Sequence, residues 1–257
     1  MSKPTIPLTP GCYFHVYNRG INSCPIFHDD ADHERFLYLY GKYVGPVADT
    51  LAWVLMRTHI HFLLRIKEDV VYRYSMKELK EMQAAQRANV ARSDSPPANA
   101  SRSPTRKPGA DTTGFSHAPE EALSYAKWET VNVSNANNKT PNPSAHLGHL
   151  FNAYARYFNL KYNRHGSLFE NQFKRKPVEE ERYLRNVVVY IHKNPEHHSY
   201  YADFSQYPWS SFHSCLDDQP AIINREEVVE WFGGIANFIF AHKGQMNVQS
   251  LEEWLEE

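Results

Sequence analysis

Cysteine is scarce in this chain. The three residues, Cys12, Cys24 and Cys215, are odd in number and far apart. Such spacing suggests neither a disulfide framework nor a cysteine-based zinc site, and it fits a reducing cytoplasm. No apolar run is long enough to span a bilayer, and the opening Met1-Ser-Lys-Pro-Thr-Ile-Pro7 lacks the apolar region of a secretion signal. The expectation is a soluble, cytoplasmic protein with no membrane partner. An excess charge of one sign is also missing: 28 Lys and Arg face 29 Asp and Glu, for a formal net charge of −1. Overall electrostatics therefore neither demand nor exclude nucleic acid, and local distribution has to decide. Aromatics, by contrast, are plentiful, with 16 Tyr and 14 Phe, which suits a partner presenting flat bases. At 257 residues the chain can build one sizeable core, or a core and a tail.

Taken in order, residues 12–19 read as a strand ended by Gly20. Asp29 to Asp32 offer N-caps for a helix running to about Val44, with Phe36, Leu37, Leu39, Tyr40 and Tyr43 on its apolar side. Two short apolar strands follow between Leu51 and Ile66, joined at Arg57-Thr58. Ser75-Met-Lys-Glu78 forms a capping box that starts another helix. From about Arg87 to Pro143 the composition turns to Ser, Pro, Ala, Asn and Thr, too poor in apolar surface to offset its ordering entropy. This stretch reads as a long disordered insertion, with a little order near Tyr125 to Trp128. A helix with Tyr154, Tyr157 and Phe158 on one stripe then reaches Tyr162. It leads through a turn to an extended basic segment ending at Lys176. The next helix begins near Glu179 and ends at Asn194-Pro195, because the residue before a proline is biased away from helix. Tyr207 to Ser211 is extended, and a last helix opens on the capping box Asn224 to Glu227. This order is that of an α+β protein: a small antiparallel sheet with packed helices. It divides into 1–86, an insertion at 87–143, a second part at 144–215, and a C-terminal helical extension at 216–257.

Chemistry concentrates in two places. Strand side chains alternate, so His59 and His61 share one face while Ile60, Phe62 and Leu64 take the other. Two neutral imidazoles side by side can clamp a divalent cation. The plainer reading packs one histidine and leaves the other in solvent. The second place is the helix from Glu179. At about 100° per residue, Asn194 falls about 40° from Tyr190, Lys193 about 60° to its other side, and Tyr183 in the same register. Leu184, Val187, Val188 and Ile191 form the core stripe, with Tyr190 on its flank and His192 pointing off the site. One helix face therefore offers a phenol, a carboxamide and an ammonium. The plainer alternative is a boundary tyrosine with a C-capping asparagine. His15 and His192 are weaker metal candidates.

The segments Phe14-His-Val-Tyr-Asn-Arg-Gly20, Leu55-Met-Arg-Thr-His-Ile-His-Phe-Leu-Leu64, Gly166-Ser-Leu-Phe-Glu170, Tyr190-Ile-His-Lys-Asn-Pro195 and Tyr207-Pro-Trp-Ser-Ser211 together resemble the REP-associated tyrosine transposases, relatives of the single-tyrosine HUH transposases. The resemblance spans residues 12–66 and about 144–215. It departs at Arg57-Thr58, where the family usually has Pro-Asn. What it implies is a ferredoxin-like or RRM-like HUH endonuclease fold. His59 and His61 are then ligands for Mg²⁺ or Mn²⁺, Asn194 is a third ligand, and Tyr190 is the nucleophile that cuts single-stranded DNA through a 5′-phosphotyrosine. The expected substrate is an imperfect palindrome folded as a hairpin, with a short single-stranded flank. Lys193 is a candidate for electrostatic help to the phenol.

Arg156, Lys161, Arg164, Lys174, Arg175 and Lys176 are interleaved with Tyr162, His165, Phe169 and Phe173. Cations can follow phosphates while aromatic rings stack on unpaired bases, although a charge run is often only a solvated face. Two other functions compete with cleavage: a domesticated protein that holds DNA or RNA hairpins without cutting, and a metal hydrolase for small phosphates, which lacks further ligands near the His-x-His. Whether the chain is a monomer or a homodimer stays open.

Overall fold

A computed structural model describes residues 6–68, 70–72, 128–130, 140–217, 221–244, 251 and 253–255. The helix expected from Ser75 and most of the expected insertion lie outside them. The chain divides into one unit of residues 1–70 and 141–257 and a second of 71–140. Strands β4 (Val70–Tyr72) and β5 (Trp128–Thr130) make a two-stranded sheet, so a strand falls within the stretch expected to be an insertion.

The first unit is built on a four-stranded antiparallel sheet. Its strands are β1 (Tyr13–Arg19), β2 (Ala48–Leu55), β3 (His59–Ile66) and β6 (Lys174–Pro177), in the order β2-β3-β1-β6. Helix α1 (Asp30–Tyr43) connects β1 to β2, and α2 (Pro143–Lys161) precedes β6. The β-α-β-β-α-β connectivity with this strand order is the ferredoxin-like arrangement. This is the α+β architecture that the order of sequence patterns leads one to expect.

β2 and β3 are buried almost end to end, on both faces. That burial requires cover on two sides. On the face of Phe62, α1 and α2 supply it: Phe62 stacks with Tyr40 at 4.6 Å between ring centroids and with Phe36 at 6.2 Å, and Phe36 meets Tyr154 edge-on at 5.0 Å. On the face of His59 and His61 lies α3 (Glu181–His197), whose Leu184, Val187, Val188, Tyr190 and Ile191 are all buried. The local signals are readable. Asp29 caps α1 by accepting from Asp32 N, Asn142 caps α2 by accepting from Ala145 N, and Pro143 stands at a first-turn position where its missing N–H costs nothing.

Two expectations need correction. α3 does not end at Asn194-Pro195 but continues to His197. Pro195 forfeits its own bond to the preceding turn, yet His198 N still donates to Asn194 O at 3.0 Å, and Tyr200 N and Tyr201 N donate to Pro195 O. Asn194 thus sits inside the helix, fully buried. The helix expected to be the last is α5 (Arg225–Trp231), but a further helix, α6 (Ile235–Lys243), follows it, and a short α4 (Phe212–Leu216) precedes it. Gly233 and Gly234, at φ of +70° and +115°, make the break in backbone geometry that side-chain-bearing residues rarely adopt. The expected capping box is half formed: Asn224 Oδ1 accepts from Glu227 N at 3.4 Å, but Asn224 N donates to Thr50 O, and Glu227 Oε2 accepts from Asn224 Nδ2 instead. The segment before α4 lies along β2, where Ser211 N donates to Trp53 O and Leu55 N to Trp209 O, both at 2.9 Å.

Candidate functional site

The antiparallel register of β1 and β3 sets Tyr17 opposite His61 and Arg19 opposite His59. Residues directly opposite share a face, so one sheet face carries His15, Tyr17, Arg19, His59 and His61 in a patch. Between this patch and the loop carrying Glu170 opens a cleft of about 460 Å³, counted with the solvent at its mouth. It is lined by Tyr17, Arg19, His59, His61, Glu170, Lys174 and His198, among others.

α3 crosses the same face. The Tyr190 ring lies edge-on to His61 at 5.7 Å and to His15 at 6.0 Å. One turn later, Asn194 Oδ1 is 3.4 Å from His59 Nε2, and Asn194 Nδ2 donates to Tyr190 O at 3.3 Å. His59 and His61 meet edge-on at 5.2 Å. The four residues singled out for chemistry thus converge, although 129 positions separate His61 from Tyr190 (190 − 61). Tyr190, however, is only 1% exposed and does not line the cleft. The reading of a flank tyrosine with its hydroxyl in a cleft is corrected to a buried one, its ring edge-on to His15 and His61 on the sheet. The C-terminal segments cover the outer side of α3.

That cover also corrects the picture of His192. It points off the site as expected, but into a second core rather than solvent. His192 Nδ1 is 2.9 Å from His242 Nε2, and its Nε2 is 2.8 Å from Ser211 Oγ.

Burial sets the protonation of the cleft. His59 is pushed down to about 4, by burial first and then by the neighbouring His198, against a smaller opposing hydrogen bond that the charged ring would donate to Asn194 Oδ1. Burial holds His61 well below the ordinary histidine value, with His15, His59 and His198 adding to it, and burial alone takes His15 down to about 3. All three imidazoles are neutral at pH 7, the form that has a lone pair for a cation. Among the described residues no group of three or more His, Cys, Asp or Glu is arranged to hold a metal ion. The available donor set is two imidazoles and a carboxamide oxygen; the carboxylate that lines the cleft, Glu170, lies 3.9 Å from Arg19. Such a set could hold a divalent cation and leave places for water and phosphate oxygens.

The basic residues separate. Lys174 lines the cleft, its Nζ 5.5 Å from the centre of the Tyr17 ring. Lys176 lies over Trp254, and Arg175 donates to Ser144 Oγ at 2.6 Å while stacking on Phe173. Lys161 is held by Asp29 and Asp32, both at 2.8 Å. Arg164 donates to Ser167 O, and Arg156 is exposed on α2. Lys193 Nζ donates to Gly244 O at 3.2 Å, at the end of α6 rather than at the phenol, and Tyr183 stacks on Trp254. Sequence reasoning missed Tyr17, Arg19, Glu170 and His198. The first two were within reach, since they alternate with Val16 and Asn18 on β1 and needed only the pairing with β3. His198 lies beyond the proline at which the helix was expected to stop.

No family model matches the chain, and no curated protein matches it. Among solved structures it is similar to one described as "Structure of the REP associates tyrosine transposase bound to a REP hairpin", at 13% identity and a TM-score of 0.47, over 86% of this chain and 90% of that one. At that degree of likeness, the chemistry has to be argued from the residues of this chain.

Proposed function

We propose that the chain is a metal-dependent endonuclease and strand transferase for single-stranded DNA, acting at hairpin-forming palindromes through a 5′-phosphotyrosine on Tyr190. The observation that carries this reading is the meeting of Tyr190 and Asn194, one helical turn apart on α3, with His59 and His61 on β3. His59, His61 and Asn194 would hold Mg²⁺ or Mn²⁺, which when bound supplies Lewis-acid polarisation of the scissile phosphate. Arg19 and Lys174 offer positive charge to the flanking phosphates at the cleft mouth. Tyr190 Oη forms the new bond to phosphorus, the bond from phosphorus to the 3′ oxygen breaks, and the phenol proton is balanced by the one the 3′ oxygen takes up. The ester energy is kept in the phosphotyrosine, so a second 3′-OH can be joined without ATP. For that attack the buried Tyr190 side chain has to reach the cleft.

The test is incubation with Mn²⁺ and a hairpin DNA carrying a single-stranded flank, followed by denaturing electrophoresis. A covalent adduct is expected from the wild type and from Tyr183→Phe, and none from Tyr190→Phe. An adduct that survives Tyr190→Phe overturns the assignment. The burial of Tyr190 favours one other reading, a domesticated protein that binds DNA or RNA hairpins without cutting. Hairpin binding without adduct in any variant, and without Mn²⁺ affinity, selects it.

A further inference from the structure

Behind each cleft histidine stands a polar group that the reaction above does not use. His61 Nδ1 lies 2.9 Å from His15 Nε2, with both rings buried and only 9° from parallel. His59 Nδ1 lies 3.0 Å from Thr58 Oγ1, which is itself 3.3 Å from Tyr200 Oη. An imidazole nitrogen that carries a hydrogen has no lone pair for a cation, so the partner of one nitrogen decides the availability of the other. Here both Nδ1 atoms are taken by groups on the sheet or its turn. His59 Nε2 lies 3.4 Å from Asn194 Oδ1, to which it donates only in the other tautomer. With the hydrogen on Nδ1 two lone pairs face each other, an arrangement that a cation between them would satisfy, and both rings line the cleft.

We propose that His15 and Thr58 are positioning residues, each accepting the Nδ1 hydrogen of its histidine so that both Nε2 lone pairs stay available to a cation in the cleft. The inference rests on the metal-binding reading above and adds to it the residues that select the tautomers. His15 Nε2 can accept only if the His15 hydrogen sits on Nδ1. That atom is buried and has no hydrogen-bond partner among the described residues. Buried polar atoms are rarely left open, and this one is explained as the consequence of holding His61 in the ligating form. Thr58 meets the same requirement with a hydroxyl that accepts from His59 and donates to Tyr200 together, at the cost of the bond that His59 Nε2 would otherwise donate to Asn194 Oδ1. Ring stacking would account for an aromatic residue at position 15 but not for nitrogen facing nitrogen at 2.9 Å. Thr58 also stands where the resembling family has another residue, so this chain supplies its own support for His59.

Two pairs of variants test this. His15→Phe keeps a ring and loses the acceptor, whereas His15→Gln carries an amide oxygen near the same place. Thr58→Val loses the hydroxyl and Thr58→Ser keeps it. Two-bond ¹H–¹⁵N spectra of metal-free, ¹⁵N-histidine protein should show His59 and His61 with hydrogen on Nδ1 in the wild type, His15→Gln and Thr58→Ser. The hydrogen should move to Nε2 of His61 in His15→Phe and of His59 in Thr58→Val. Mn²⁺ affinity, followed by electron paramagnetic resonance, should fall roughly 10–100-fold in His15→Phe and Thr58→Val, with His15→Gln and Thr58→Ser within about threefold of wild type. The proposal is overturned if the wild type already carries these hydrogens on Nε2, a measurement that needs no variant to fold. Undiminished Mn²⁺ affinity in His15→Phe and Thr58→Val overturns it as well. A wild type that binds no Mn²⁺ sinks the metal reading instead, and the tautomer spectra still decide on His15 and Thr58.

Discussion

Asn194 divides its carboxamide between two tasks, and both are made demanding by its complete burial. Its Nδ2 donates to Tyr190 O, which turns the group over, and its Oδ1 is thereby aimed at His59 Nε2. Asn194→Ala removes an oxygen donor and leaves His59 facing an apolar gap. Mn²⁺ affinity should drop roughly tenfold or more, measurable by calorimetry; an unchanged titration would remove Asn194 from the ligand set. Asn194→Asp asks a sharper question. A carboxylate placed there is a buried charge with no cationic partner, so the metal-free variant should unfold at a lower temperature than the wild type. A bound cation compensates that charge, and binding to the native state alone raises apparent stability. The rise in melting temperature on adding Mn²⁺ should therefore be larger for Asn194→Asp than for the wild type. An equal or smaller rise would mean that no cation sits beside position 194.

At the scale of elements, α3 is set against the rest of the unit by a line of neutral imidazoles. Trp53 N donates to Ser211 Oγ, and His242 Nδ1 donates to Phe238 O, which fixes the direction of the bonds between them. Ser211 Oγ then donates to His192 Nε2, and His192 Nδ1 donates to His242 Nε2. The chain of bonds is satisfied only while both rings are neutral. Burial pushes His242 down to about 4 from an ordinary 6.5, and burial holds His192 well below 6.5 too. In the unfolded chain both take up a proton near 6.5. Their contribution is thus fully present above that pH and is lost as pH falls towards 4, each histidine steepening the loss by up to about 1.4 kcal/mol per pH unit. Urea unfolding between pH 7.5 and 4.5 should show this decline, and His242→Gln should flatten it; an identical slope in the variant would rule the relay out as its source. The same elements show what the sequence could and could not disclose. Alternation in β3 was enough to put His59 and His61 on one face, and the 3.6-residue period of α3 was enough to put Asn194 beside Tyr190. The second cover over α3 was not legible, because the apolar positions of α5 and α6 do not say which surface they bury. For that reason His192, read as an outward residue, turns out to lie in a second core. Residues 17 and 19 escaped, and His15 was read only as a weaker metal candidate, for a related reason: periodicity gives a face to each strand, and only pairing gives it neighbours.

For the whole molecule, balanced charge hides an uneven use of cations, and salt dependence can expose it. Lys161 and Lys174 are both lysines of the basic stretch that sequence alone assigns to DNA, but the fold commits them differently. Lys161 closes α2 onto the N-terminus of α1 through Asp29 and the buried Asp32. Its burial works against the ammonium, but the hydrogen bonds to Asp29 and Asp32 outweigh it and raise the lysine above its ordinary value. Lys174 stands at the cleft with its ammonium over the Tyr17 ring. Replacing Lys174 by Ala should weaken hairpin binding and lower the slope of log K against log salt by about 0.7, one single-strand phosphate contact. Stability should be left near that of the wild type. Replacing Lys161 by Met should do the reverse. It should cost about 1.5–3 kcal/mol, the range for a hydrogen bond to a charged group, and leave the salt slope where it was. Fluorescence anisotropy from 50 to 300 mM salt, a range over which roughly one lost contact is resolvable, together with urea unfolding of the same two variants, separates the roles. Equal salt slopes in wild type and Lys174→Ala would place the DNA path away from the His59–His61 cleft, and a lowered slope in Lys161→Met would place it along α2.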